Sequence, residues 1–258
     1  MRETRDFSRY RRCIGVALLL AGFVPGASAL DNPGYDRPGL GFTPAVLDAG
    51  AITLEQGLPD WSLSRDGSGG SSSAQYTADS LLRLGIGHAL ELQLGSSFNR
   101  LGQGGMVEHG RGDSTLGMKF ALPAHGNFSW GVLGSVEFTD GARDFRNPYR
   151  QYLLGAAFNW QLDRRNTAAL YLENVRSGGQ DSRQLAVNDG YALTSTLNGY
   201  AEFDVMDVAG AGHGSRAGAG VAWMLTPRVQ LDASMRHRLG GVAPAWEAGL
   251  GVSVYFGH

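Results

Sequence analysis

From about residue 50 to the end of the chain, apolar side chains recur at every second position, and helical spacing is absent. The final stretch shows it plainly. One face reads Trp246, Ala248, Leu250, Val252, Val254 and Phe256; the other reads Glu247, Gly249, Gly251, Ser253 and Tyr255. A strand turns successive side chains to opposite faces, so this is a strand with one apolar side and one small or polar side. The same reading predicts twelve strands, at 50–58, 75–86, 89–101, 111–122, 127–139, 149–162, 167–177, 186–194, 196–208, 215–225, 228–239 and 245–256.

The connections alternate in kind. Those after the even strands are short: Gly87-His88, 123–126, 163–166, Ser195 and Thr226-Pro227. Those after odd strands read as longer and polar or glycine-rich, as at 59–73, 102–110, 140–148 and 178–185. One trimmed end and one elaborated end is the form of an up-and-down barrel in the bacterial outer membrane, with an even strand count and both chain ends on the periplasmic side. The expected fold is therefore all-β, a 12-stranded antiparallel up-and-down transmembrane β-barrel.

A soluble sandwich alternates too, with its apolar face turned inward. Three features favour lipid outside instead. Trp130, Trp160 and Trp223 lie on the apolar parity beside short turns, where an aromatic girdle meets the membrane–water boundary. Trp246 and Phe256 extend that set on the final strand. The apolar faces run unbroken, as in Leu90, Leu92, Leu94 and Leu116, Met118, Phe120, Leu122. The last strand ends on an aromatic, the form that barrel assembly machinery recognises as a partner.

The amino terminus sets the compartment. Arg2, Arg5, Arg9, Arg11 and Arg12 precede an apolar run, Ile14 to Val24, and then Ala27-Ser28-Ala29. These are the three parts of a secretory signal, and the run is too short to span a bilayer. Residues 1–29 are expected to be a cleaved signal peptide, 30–49 a Pro/Gly-rich segment, and 50–258 the barrel. The segment has two destinations on this reading, a periplasmic tail or a plug in the lumen. The lone cysteine, Cys13, leaves with the leader, so no disulfide is expected. The whole chain carries a formal charge of −2, and the leader takes away five arginines but only two acids. An acidic mature chain has no footprint for nucleic acid. No Cys/His grouping has metal-ligand spacing and no glycine run sits between strand and helix, so no cofactor or metal is expected.

With the apolar parity facing lipid, the other parity lines the lumen. It supplies Glu55, Asp79, Arg83, Glu91, Arg111, Asp113, Lys119, Glu137 and Glu173, with Glu202, Arg236 and Arg238 later. A three-residue connection, Ile86-Gly87-His88, would set Arg83 directly opposite Glu91. Lys119 is the only lysine of the chain, and Asp113 or Glu137 would be its structural partner. Mixed charges in a small barrel either brace the lumen or meet a solute.

Three blocks, "DRPGLGFTPAVLDAGAITLEQGLPDW" (36–61), "LLRLGIGHALELQLG" (81–95) and "GRGDSTLGMKFALP" (110–123), resemble successive blocks of one bacterial outer-membrane transporter family, that of the phenol-degradation meta-pathway. The resemblance runs from about residue 36 to residue 176. It implies a twelve-stranded barrel in the outer membrane and passage of small, aromatic or hydrophobic compounds. It marks Glu55, Arg83, Glu91, Asp113, Lys119 and Glu173. The expected function is a channel or transporter and not an enzyme, with outer-membrane lipid and a small-molecule solute as partners. The alternatives are a structural or surface-interaction barrel and a membrane-embedded lipid hydrolase. For the last, His88, His109, His125, His213 and His237 are poorly placed beside any serine motif.

Overall fold

The computed structural model describes residues 34–64, 73–103 and 106–257. The expected signal peptide, most of the connection after the first strand and His258 lie outside the described residues. Thirteen strand segments follow one another: β1 (Ile52–Ser64), β2 (Ser73–Gly85), β3 (Leu90–Gln103), β4 (Met106–Arg111), β5 (Thr115–Ala121), β6 (Phe128–Glu137), β7 (Gln151–Gln161), β8 (Asn166–Ser177), β9 (Gln180–Ala192), β10 (Leu197–Val208), β11 (Gly212–Thr226), β12 (Val229–Gly241) and β13 (Trp246–Phe256). Every pairing is antiparallel between neighbours, and β1 pairs with both β2 and β13, so the sheet closes on itself. β4 continues β5 along the same partner: β3 pairs its outer part with β4 and its inner part with β5. The barrel thus has twelve staves, one of them interrupted at Gly112-Asp113-Ser114.

The distribution of side chains is that of a protein in lipid. Leu154 is 65% exposed, Leu172 39% and Trp223 45%, whereas Arg83, Glu91 and Lys119 are wholly buried. In a soluble fold that inversion would be ruinous. In a bilayer the outward apolar side chains meet acyl chains, and closure leaves no open sheet edge facing hydrocarbon among the described strands. The protein is an outer-membrane β-barrel. Phe256 pairs with Ile52 at the periplasmic rim, so the last aromatic also lies at the seam of closure. Trp130 packs on Phe120, and Trp160 on Phe128 and Phe158, near the same rim. Trp246 lies at the opposite rim, its ring tilted at 35° against that of His237 with centroids 4.1 Å apart. Trp61, against Tyr76 at 6.3 Å, joins it there.

Several boundaries differ from the sequence reading. The first strand does not stop at 58 but runs to Ser64, through a bulge between Gly57 and Asp60. Pro59 has no N–H to give the ladder, and a bulge absorbs the missing bond. The extra residue reverses the parity, so Asp60 turns inward and Trp61 outward. Residues 178–185 are not a long loop. β8 and β9 join through Gly178-Gly179, both at positive φ, as a two-residue hairpin turn requires. Residues 102–110 likewise belong largely to the β3–β4 hairpin. Among the described outer connections only 138–150 is long. The fourth strand is not continuous over 111–122, and its parity changes across 112–114. Arg111 therefore shares a row with outward Phe98 and is half exposed, not in the lumen.

Residues 34–49 have no regular secondary structure; 34–47 lie inside the barrel, and 48–49 are exposed where the chain turns into β1. Tyr35, Asp36, Arg37, Phe42, Thr43 and Leu47 are all buried. Two small apolar clusters seat the segment. Phe42 packs with Leu133, Leu153 and Tyr171, and Tyr35 and Leu47 pack with Ala51 and Tyr255.

Candidate functional site

The lumen is filled by ion pairs between the wall and this segment. Arg83 on β2 binds Glu91 on β3 through two parallel bonds, Nε to Oε1 at 2.7 Å and Nη2 to Oε2 at 3.0 Å. Its Nη1 reaches Glu55 on β1 at 2.8 Å and the carbonyl of Gly34 at 3.1 Å. The partner is the expected one; the row is not. The β2–β3 turn is centred one residue later than the sequence reading supposed, on His88 and not on Gly87, so Glu91 sits opposite Gly85 and Arg83 opposite Gln93. Arg83 meets Glu91 diagonally, and its length spans the offset.

Lys119 on β5 donates to Asp36 at 3.1 Å and pairs with Glu91 at 3.1 Å. Neither Asp113 nor Glu137 is its partner, which corrects the sequence reading. Both of those lie nearer the outer rim and serve the 138–150 connection. Asp113 accepts from the backbone N–H groups of Gly141 and Asn147, each at 2.7 Å. Glu137 accepts from the Asn147 amide at 2.5 Å. Ala142 and Phe145 then rest against Gly110, which faces inward. Arg111 and Ser114 hold the exposed Asp140 from outside the bilayer. The Ser114 N–H and hydroxyl, then Arg111, keep that carboxyl near about 2. Glu173 stands apart from the ion pairs and accepts from Tyr171 Oη at 2.5 Å.

Two residues that matter most here carried little signal. Asp36 and Arg37 fall in a stretch without periodicity, and only insertion brings them to the wall. Asp36 Oδ1 also accepts from the N–H of Thr43 at 2.9 Å, which folds the first half of the segment back on itself. Arg37 reaches Asp60 on β1 and Asp232 on β12. The N–H of Leu40 donates to Glu202 on β10 at 3.0 Å, and that of Leu47 to Glu91 at 3.0 Å. Phe42 meets Tyr171 on β8 edge-on at 5.8 Å. The segment is thus bonded or packed to both sides of the lumen at mid-height. Beyond it, Arg216 pairs with Asp204 and Glu247, and Arg236 with Glu202. A cavity of about 1020 Å³ adjoins the row Gly155, Glu173, Gln184, Met206 and Gly214 in the outer half of β7–β11.

Residues 35–256 match the family described as "Putative MetA-pathway of phenol degradation". A comparison with curated proteins finds no match. Among solved structures, the chain is similar to the COG4313 outer membrane channel from Pseudomonas putida F1, at 14% identity and a TM-score of 0.74, covering 85% of this chain and 99% of that one. It is also similar to the KdgM porin, at 10% identity and a TM-score of 0.56 over 80% of this chain and 99% of that one. The NanC porin gives 9% identity and a TM-score of 0.50, over 80% and 100%. At these identities the likeness is one of fold.

Proposed function

Since the chain belongs to the family of the phenol-degradation meta-pathway, we propose that this barrel is a channel for small solutes, held shut by residues 34–49. One observation carries the reading: the segment crosses the lumen and is tied to β1, β3, β5, β10 and β12 by polar groups alone, apart from its two small apolar clusters. Such ties can be exchanged for water one by one, which a continuous apolar core cannot do. A twelve-stranded barrel without an insert is wider than the eight-stranded kind that its own side chains fill. Small aromatic compounds are the solutes to try first, by the family's description and by the edge-on Phe42–Tyr171 contact beneath the cavity.

Catalysis is not part of this reading. His237 Nδ1 lies 2.9 Å from the carbonyl of Ala245, and its ring packs at a tilt against Trp246 on the lipid-facing side. We also read residues 1–29 as the removable export signal. The closing strand β13, through Phe256, is the segment by which assembly machinery would take up the chain.

The test is conductance in planar bilayers of the mature chain and of a variant lacking residues 34–49, both checked for the heat-modifiable gel mobility of a folded barrel. The full chain should give small or intermittent currents and the deletion large, steady ones. A folded barrel that passes no current in either form overturns the channel and leaves the structural reading.

A further inference from the structure

The seat of Arg37 is built for its head group. Asp60 and Asp232 come from β1 and β12, the two strands that flank β13. Each sits directly across from a glycine of β13, Asp60 from Gly249 and Asp232 from Gly251. These two positions face inward, so the wall between the carboxylates carries no side chain there. The guanidinium fills that slot. Nη1 and Nη2 donate to Asp60 at 3.3 Å each, Nε and Nη2 to Asp232 at 3.4 and 3.2 Å, and Nη2 to the Leu250 carbonyl at 3.1 Å. A Cβ at Gly251 would overlap Nε, and one at Gly249 would overlap Asp60. A planar cation with donors on two edges fits this slot. A compact ammonium on a flexible stem cannot bridge both carboxylates in the same way.

The charges are also unequal. Two carboxylates face one guanidinium, and Asp79 on β2, near Asp60 and Arg37, has a buried Oδ2 with no hydrogen-bond partner among the described residues. The backbone of residue 37 is held independently. Its N–H donates to Glu55 at 2.8 Å and its carbonyl accepts from Gln230 at 2.8 Å. The head group can therefore leave the slot without the segment losing its other ties.

We infer that this slot is a guanidinium-binding subsite of the lumen, filled in the structure by the protein's own Arg37 and open to a small guanidinium-bearing solute when that side chain withdraws. The subsite's exposure to a passing solute rests on the channel reading; its chemistry does not. The probe is ethylguanidinium, with ethylammonium as the control, titrated calorimetrically into the detergent-solubilised full chain. Arg37→Ala should bind ethylguanidinium at least tenfold more tightly than ethylammonium, and more tightly than the unaltered protein, whose slot is occupied. Adding Asp232→Asn to Arg37→Ala should abolish the preference. Arg37→Gln, which keeps the stem of the side chain, replaces Arg37→Ala if the latter does not fold. No binding to a folded variant, or equal binding of the two cations, overturns the inference. Guanidinium binding in a barrel that never conducts would count against the channel alone.

Discussion

Lys119 and Asp36, 83 positions apart in the chain, meet at 3.1 Å inside the barrel, and both are fully buried. The contact joins the wall to the inserted segment. It is also shared, because Glu91 pairs with Lys119 and accepts from Arg83. Two cations and three carboxylates therefore form one group, so each cation holds more than one acid in place. While the segment stays seated, losing one partner of such a buried pair leaves an uncompensated charge at a cost of about 3–5 kcal/mol, which release of the segment into water relieves. Lys119→Met should release the segment more than it harms the barrel, whose hydrogen-bonded ladder is untouched. The expected result is a more frequently open channel in planar bilayers with gel mobility unchanged. Conductance indistinguishable from that of the original protein would show that the pair does not hold the segment.

The outer mouth has its own fastening. Asp113 sits in the interruption between β4 and β5 and gathers the N–H groups of Gly141 and Asn147. Hydrogen bonds to a charged acceptor are worth about 1.5–3 kcal/mol each. Asp113→Ala should free residues 138–150 without opening the ladder. The arginines of that connection, Arg143, Arg146 and Arg150, are already exposed but lie in a held backbone. Trypsin should cut there at least tenfold faster in the variant, read by mass of the fragments. Unchanged cleavage would mean that the ladder ends, not Asp113, fix the connection.

Much of this architecture is legible in the sequence because lipid imposes a period of two on the wall. Leu90, Leu92 and Leu94 against Glu91 and Gln93 declare both faces of β3 without any knowledge of the fold. Where a single residue breaks the period, the reading fails. Pro59 ends the first predicted strand because a proline looks like a stop, yet the bulge carries β1 on and brings Asp60 inward. Gly112 to Ser114 similarly conceal a change of parity that sends Arg111 outward. The Arg83–Glu91 pair is visible as chemistry, but its diagonal geometry depends on the turn being centred on His88 and not on Gly87. Asp36 and Arg37 are the hardest case. Their partners lie on several different strands, and an irregular segment carries no period from which its neighbours could be inferred.

The Asp140 carboxyl, half exposed at the outer surface, is held down to about 2 from an ordinary value of 3.8 by the Ser114 N–H and hydroxyl and by Arg111. A depressed folded value means that the contact contributes fully above the unfolded value and is lost as pH falls through about 2. The Ser114 amide should therefore stay protected from hydrogen exchange between pH 7 and pH 4, and lose protection only in stronger acid. In Asp140→Asn that acid dependence should vanish. Loss of protection already near pH 5 would show that another group governs the tie.

Gly251 gives the most local way to disturb the segment. The residue faces the lumen opposite Asp232, and its missing side chain is what lets Arg37 lie flat against β13. A methyl group there would collide with Nε, while the strand, already extended, accepts alanine without strain. Neighbouring β13 positions 249 and 253 are small as well, so the wall has no bulk to rearrange. Gly251→Ala should therefore reproduce the conductance of Arg37→Ala, with more open time and intact gel mobility, although it removes neither charge of the pair. Combining Gly251→Ala with Arg37→Ala should add little, because both remove the same seating. Effects that add in full would place the methyl group's influence elsewhere in the barrel and separate it from Arg37.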